Sequence, residues 1–190
     1  MPIGCVSVVP EVVALLSSKQ PAPQKILDAG IGFGFYGAAI RQWLDSGVKP
    51  WRTYLLGIEG FAAYKSSCWD LYNYVHAGLT IQEYLDSAMS EKDRFDAILL
   101  NDVLEHFDKG QGRDVLLQLT QKLFPGGQLI VSTPAVFIEQ GAAYGNELEV
   151  HRSLWDADDL KMLGFKVLID GKKRADKFGN RMLVGVFTQE

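Results

Sequence analysis

Cysteine is scarce in this chain: Cys5 and Cys68 are the two thiols in 190 residues. Two thiols cannot build the bridge framework that staples small secreted domains, so they read as ordinary groups of a reducing compartment. Long apolar runs are missing too, and no segment approaches the roughly 20 residues that a membrane-spanning helix needs. Pro10 and Glu11 interrupt the only apolar stretch near the N-terminus, so no secretory leader is expected. An excess of positive charge is also lacking, since 19 Lys and Arg face 23 Asp and Glu for a formal net charge of −4. Basic stripes grip nucleic acid phosphates, so nucleic acid is not the expected partner. No internal repeat or low-complexity tract is visible. These absences leave a cytoplasmic protein, and 190 residues suit a single domain of on the order of 100–200 residues.

The apolar pattern alternates between short β-rich runs and longer helical stretches. Helices are expected over 10–18, 36–46, 61–70, 80–89, 112–124 and 155–163. Strands are expected over 26–30, 53–59, 72–77, 95–100, 129–132, 165–169 and 182–188, with Pro125-Gly126-Gly127 as the stop between a helix and the fifth strand. Such alternation predicts an α/β fold with helices on both faces of the sheet. Residues 1–24 read as an N-terminal helix and linker, and 134–153 as a loop-like segment rich in glycine and polar residues. The link 171–180 is polar and holds no helix-length apolar pattern. It cannot supply the crossover that parallel neighbours need, so the last two strands are expected to pair antiparallel. Its cluster Lys172-Lys173-Arg174-Ala175-Asp176-Lys177 reads as a solvated hairpin tip.

The densest signal is Ile26-Leu27-Asp28-Ala29-Gly30-Ile31-Gly32-Phe33-Gly34. An apolar strand runs into an acid and then into glycines at alternate positions, and a helical pattern begins at Tyr36. Glycine removes the Cβ atoms that would hold a ligand away from the backbone, and the following helix offers free N-terminal amides. Gly32-x-Gly34-x-x-Gly37 with Glu59 some way beyond also matches a dinucleotide fingerprint. Asp28 opposes that register. A turn starting at Gly32 buries an unpaired carboxylate within a central strand, whereas a turn starting at Gly30 puts Asp28 at the strand's carboxyl end, able to face a cation.

Asp28-Ala29-Gly30-Ile31-Gly32-Phe33-Gly34 resembles the first motif of class I S-adenosylmethionine-dependent methyltransferases. Further landmarks follow in that family's order: Leu56-Gly57-Ile58-Glu59, then Phe95 through His106, then Pro125-Gly126-Gly127-Gln128-Leu129-Ile130-Val131. The resemblance runs from about residue 25 to the end. It implies a Rossmann-like, seven-stranded, mostly parallel sheet whose last strand is antiparallel. It also implies S-adenosylmethionine as cofactor, held by Asp28, Gly30, Gly32, Gly34, Glu59 and Asn101, with Glu59 accepting the ribose hydroxyls. Where many members carry an Asp near the adenine, this chain has Gly78-Leu79-Thr80. Adenine contacts therefore fall to backbone groups, to the Thr80 hydroxyl or to apolar stacking.

Methyl transfer from a sulfonium is an in-line displacement, so positioning does much of the work, and a base is needed when the acceptor is a hydroxyl or a protonated amine. Glu105, His106 and His151 are the candidates, since a histidine keeps a neutral fraction at cytoplasmic pH. If the backbone after the fourth strand is helical, Asp102, Glu105 and His106 share one face. With His151 they would then form a set fit for Mg²⁺ or Mn²⁺. Asp102-x-x-Glu105-His106 resembles the metal site of methyltransferases acting on polyprenyl catechols and RNA 3′ ends, with Asp in place of the first Glu. The alternative is that the Glu-His pair lines the pocket without metal. On the substrate side, Arg152 suits an anionic group or an ion pair with Glu147 or Glu149, and Phe137 and Tyr144 suit a small, partly apolar acceptor. A small-molecule methyltransferase is the first reading. The others are an RNA-end or protein methyltransferase, or a binding module without catalysis. The oligomeric state is not readable from the sequence.

Overall fold

In the computed structural model, which describes residues 4–88 and 93–190, seven strands form one sheet in the order β3-β2-β1-β4-β5-β7-β6. They are β1 (Lys25–Ala29), β2 (Tyr54–Glu59), β3 (Tyr74–Ala77), β4 (Phe95–Asn101), β5 (Leu123–Pro134), β6 (Lys166–Asp170) and β7 (Met182–Thr188). β1 pairs parallel with β2 and β4, β2 with β3, and β4 with β5, while β7 runs antiparallel to both β5 and β6. The expected antiparallel end is present because the 171–180 link makes only turns, such as Lys173 N–H to Asp170 O and Gly179 N–H to Asp176 O.

Both faces of the sheet are covered, and the central strands show it residue by residue. Ile26, Leu99 and Ile130 pack with Val12 and Leu16 of α1 (Val9–Ser18) and Ile40 of α2 (Phe35–Leu44). Leu27, Ile98, Leu100 and Leu129 point the other way, toward Leu116 and Leu119 and toward Trp155. Successive side chains of a strand alternate between faces, so buried parallel strands read as continuous apolar runs. Short helical segments complete the covering: α3 (Ile81–Glu83), continued by a wider π turn Tyr84–Ala88, then α4 (Lys109–Thr120) and α5 (Ala157–Met162). Met89, the end of the helix expected over 80–89, lies outside the described residues.

Two elements depart from the sequence pattern. The expected helix 61–70 is a pair of 3-10 turns, Ala62–Tyr64 and Ser67–Leu71. Its side chains tie down the glycine loop: Trp69 Nε1 donates to Gly32 O at 2.8 Å and Ser66 Oγ to Phe33 O at 2.6 Å. The helix expected over 112–124 starts at Lys109 and stops at Thr120, and β5 has begun by Leu123. Pro125-Gly126-Gly127 is then an irregularity inside the strand, where the pairing with β4 shifts register, rather than its start.

The chain order reverses between β1 and β4, which lie side by side with their carboxyl ends together. Ligands of open α/β sheets bind beyond the strand ends at such a reversal.

Candidate active site

A cavity of about 840 Å³ opens over those strand ends. Its wall follows the order of the sheet: Thr80 after β3, Glu59 at the end of β2, Gly30 and Gly32 after β1, Asn101 and Asp102 at β4, Pro134 at the end of β5. The size lies within the range of small-ligand sites.

At the β1 end the turn does begin at Gly30, which has φ +83°, and a Cβ there would lie 2.4 Å from Val103 Cγ2. Only glycine lets the loop pass this close to the segment after β4. Gly32 lines the cavity, whereas Gly34 caps α2 and packs against Cys68 and Trp69 outside the wall. Glu59 is buried, and its two oxygens accept Gly32 N–H and Phe61 N–H, each at 2.8 Å. Burial pushes its carboxyl above the usual range. Each oxygen retains a lone pair for a further donor.

Asp28 is placed differently from the expectation. It is 1% exposed and outside the cavity wall, and its Oδ2 accepts the Tyr72 hydroxyl at 2.6 Å. The reason is strand alternation, which buries the side chain one residue before the strand end under Tyr72, whose ring fills the space left by Gly37. Desolvation pushes the Asp28 carboxyl up to about 7. Thr80 does line the cavity, but its hydroxyl is engaged in a capping box, accepting Glu83 N–H at 3.2 Å and donating to Glu83 Oε2 at 2.7 Å. Asn101 is 6% exposed, and neither its Oδ1 nor its Nδ2 has a hydrogen-bond partner among the described residues. Buried polar groups are rarely left without a partner.

The segment after β4 is not helical, which corrects the one-face argument. Asp102 takes φ +52° and Val103 φ −135°, and only Leu104–His106 form a turn. Asp102 therefore swings toward the N-terminal segment, where Oδ2 accepts Cys5 N–H at 2.6 Å. Burial raises its carboxyl to about 6. The four-ligand metal set does not form, and the group that remains is Glu105, His106 and His151, whose ligand atoms lie within 4.8 Å of one another.

That trio is held from behind. Glu105 is 4% exposed, accepts the Thr133 hydroxyl at 2.9 Å, and is pushed up to about 8 by burial and then by the charge of Asp102. His106 Nδ1 sits 3.3 Å from Val150 O, and His151 Nδ1 sits 2.7 Å from Ile138 O. A neutral ring beside a carbonyl carries its proton on the facing nitrogen, and the backbone of Asp102 also bonds the His106 imidazole. The rings are 4.9 Å apart between centroids. Burial first, and then the neighbouring His151, lower the His106 imidazole to about 4, so it stays neutral.

Around the trio, Arg152 donates to His106 O, Val150 O and Glu147 O at 2.8–3.1 Å. The ion pair considered with Glu147 or Glu149 is replaced by these carbonyls. Tyr144 lines the cavity and is largely exposed. Phe137 does not line it, whereas Pro134, Val136, Ile138 and Gln140 do. The wall also includes Tyr36, an aromatic that the sequence sets beside the glycine loop, Gly4 and Cys5 of the N-terminal segment, and Arg181, which no sequence pattern singles out.

A glycine loop under a buried acid, an elongated cavity across five strand ends and one reversed strand define a nucleoside-type site on a Rossmann-like methyltransferase fold. The profile of the methyltransferase-domain family matches residues 7–164. The chain belongs to that family, in its class I, S-adenosylmethionine-dependent form. Among solved structures, the fold is similar to the N-methyltransferase NodS of Bradyrhizobium japonicum WM9 (14% identity, 94% of this chain and 93% of that one, TM-score 0.59). It is also similar to the 1,6-didemethyltoxoflavin-N1-methyltransferase of Burkholderia thailandensis, solved with bound 1,6-didemethyltoxoflavin and S-adenosylhomocysteine (18% identity, 96% of this chain and 78% of that one, TM-score 0.63). A third likeness is to a SAM-dependent methyltransferase of Archaeoglobus fulgidus (15% identity, 95% and 94% covered, TM-score 0.63). At these identities the likeness is one of fold. No curated protein matches the sequence. Among the described residues no helix is long and apolar enough to cross a membrane.

Proposed function

We propose that this protein is a cytoplasmic enzyme that moves the methyl group of S-adenosylmethionine to an oxygen or nitrogen of a small-molecule acceptor. The observation that carries this reading is the His106–His151 pair, with both Nδ1 atoms beside backbone carbonyls and the rings 4.9 Å apart, at the β4–β5 end of the cavity. The donor would lie over the β3–β2–β1 ends, held by Glu59 at the ribose and by the Gly30–Gly32 backbone. Bound there, its sulfonium supplies an electrophilic methyl group. His106, kept neutral, accepts the acceptor's proton as the new bond forms, and His151 orients the acceptor. Glu105 is protonated at neutral pH and acts as a hydrogen-bonding support for this pair. Arg152 and Tyr144 contact the acceptor. The donor-rich, partly apolar wall suits a small molecule, and N- and O-methyltransferases occur among proteins of similar fold.

The test is to incubate the protein with S-adenosylmethionine and a panel of small hydroxy and amino compounds and to measure S-adenosylhomocysteine. Acceptor-dependent product is expected. Methylation confined to RNA or protein acceptors would contradict the proposal.

A second reading rests on a specific observation. Carbonyl-held imidazoles are the way metal-ligating histidines are usually oriented, and the Glu105 carboxyl is within reach of both. A divalent ion there would lower the pKa of an acceptor hydroxyl. Titrating Mg²⁺ or Mn²⁺ into metal-stripped protein separates the readings: a binding heat with turnover lost to chelator supports the ion, and neither effect leaves acid–base chemistry alone.

A further inference from the structure

The chain that leaves β5 does not stay at its own strand. Pro134 ends β5, yet Leu148 packs on Gly60, the residue after Glu59 at the end of β2, where a Cβ would stand 2.6 Å from Leu148 Cδ1. Strands β1 and β4 lie between β5 and β2 in the sheet, so this segment crosses the cavity from its acceptor end to its donor end. It then turns back, and Arg152 N–H and Ser153 N–H donate to Glu105 O, just after β4, at 2.8 and 3.1 Å. The two feet of the arch are joined to each other: His151 N–H donates to Gln140 O at 3.1 Å and Gln140 Nε2 to Glu149 O at 2.8 Å. Ile138, Tyr144, Leu148, Glu149 and His151 of the arch line the cavity.

The far end of the arch is fastened to Tyr64, which does not line the cavity. Its hydroxyl donates to Glu149 Oε1 at 2.9 Å and accepts Asn146 Nδ2 at 3.2 Å, and its ring meets that of Tyr144 edge-on at 6.4 Å between centroids. Asn146 is 3% exposed, and its Oδ1 accepts Leu148 N–H at 3.0 Å, which shapes the turn that carries Leu148. Burial pushes the Tyr64 hydroxyl up to about 12, so it keeps the proton that it donates.

We propose that residues 135–151 are a lid over the methyl donor, latched by Tyr64 onto Glu149 and Asn146, which must lift for the donor to enter and for its product to leave. This rests on the reading of the cavity as the S-adenosylmethionine site. With the lid down, Leu148 covers the cavity beside Glu59, where the donor ribose is placed. The same segment carries His151 at its foot, so closing over a bound donor also sets His151 beside His106. Lids of this kind shut water out and complete the catalytic set in one movement, and their opening governs ligand exchange.

Tyr64→Phe tests the latch without touching the cavity wall, since it deletes one hydroxyl and keeps the ring. Loss of its two hydrogen bonds should open the lid more often in the free and the bound protein alike. In stopped-flow binding of S-adenosylhomocysteine, association and dissociation should each become faster by roughly 10–30-fold, the worth of two ordinary hydrogen bonds. The Kd should stay within about twofold, which also reports that the variant is folded. Dissociation that rises alone, with Kd weakened to match, would make Tyr64 an ordinary prop of the donor site and overturn the lid; wild-type rates in both directions would overturn it too. In the unaltered protein, S-adenosylhomocysteine should slow amide hydrogen exchange at residues 143–149 several-fold, and exchange there that ignores the ligand would likewise overturn the lid. A wild-type protein that does not bind S-adenosylhomocysteine would overturn the cofactor reading beneath it.

Discussion

The donor half of the cavity is built from strand ends and backbone, and the acceptor half from side chains on loops. On the donor side, Gly30 N–H and Ile31 N–H donate to Ile58 O, and Glu59 is held by two amides. On the acceptor side, His106, His151 and Arg152 are each aimed by carbonyls of His106, Ile138, Glu147 or Val150, all outside the sheet. A scaffold fixed by backbone tolerates change only where no Cβ intrudes, whereas loops can exchange side chains without disturbing the sheet. The two halves should therefore fail differently: changes on one side should appear in donor affinity, and changes on the other in turnover.

The sharpest way to break this division is Gly30→Val. Its Cβ would strike Val103 at a left-handed φ, so S-adenosylhomocysteine binding should fall below calorimetric detection, and retained binding would contradict the loop's role. Next, His106→Ala should lower turnover of an acceptor found in the panel by roughly 10²–10⁴-fold, the usual worth of a general base. Donor affinity should stay within a few-fold; a parallel loss of both would merge the two halves. Glu59→Gln should do the reverse, weakening the donor by roughly 10–100-fold while single-turnover chemistry at saturating donor persists.

The smallest expected effect is on stability. The Asp28 carboxyl titrates at about 7 when folded, against a usual value of 3.8. Between these limits the unfolded chain ionises first, so Asp28's contribution to stability falls as pH rises from about 4 to about 7 and then levels. Asp28→Asn should shallow the decline in melting temperature between pH 5 and pH 8, measured without ligand. Asp102 and Glu105 are raised in the same direction, so the slope should be reduced rather than abolished. An unchanged slope would mean that Asp28 is ionised in the folded protein.

The same division governs how much the chain discloses before it folds. The strand sequence, the turn at Gly30 and the reversed end are written in local patterns: buried runs at β1 and β4, alternate glycines, and a link too polar for a crossover. Glu59 is legible because it ends a strand. The acceptor half is not local. Whether Asp102 shares a face with Glu105 depends on one residue taking a left-handed φ, and a period rule cannot foresee that. Phe137 and Ile138 look equally suitable as pocket walls, and only the course of the loop after Pro134 decides between them. Asp28 shows the opposite limit, since its position on the strand was readable but its burial under Tyr72 depended on Gly37 leaving room for the ring.

The central claim is that one cavity places the donor over the β3–β2–β1 ends with its sulfur facing the histidine pair. A crystal structure with S-adenosylhomocysteine tests it most directly. The expected result is Glu59 on the ribose hydroxyls, the Gly30–Gly32 backbone against the donor, and the sulfur open toward His106 and His151. A ribose away from Glu59, or a sulfur turned from both histidines, would contradict it.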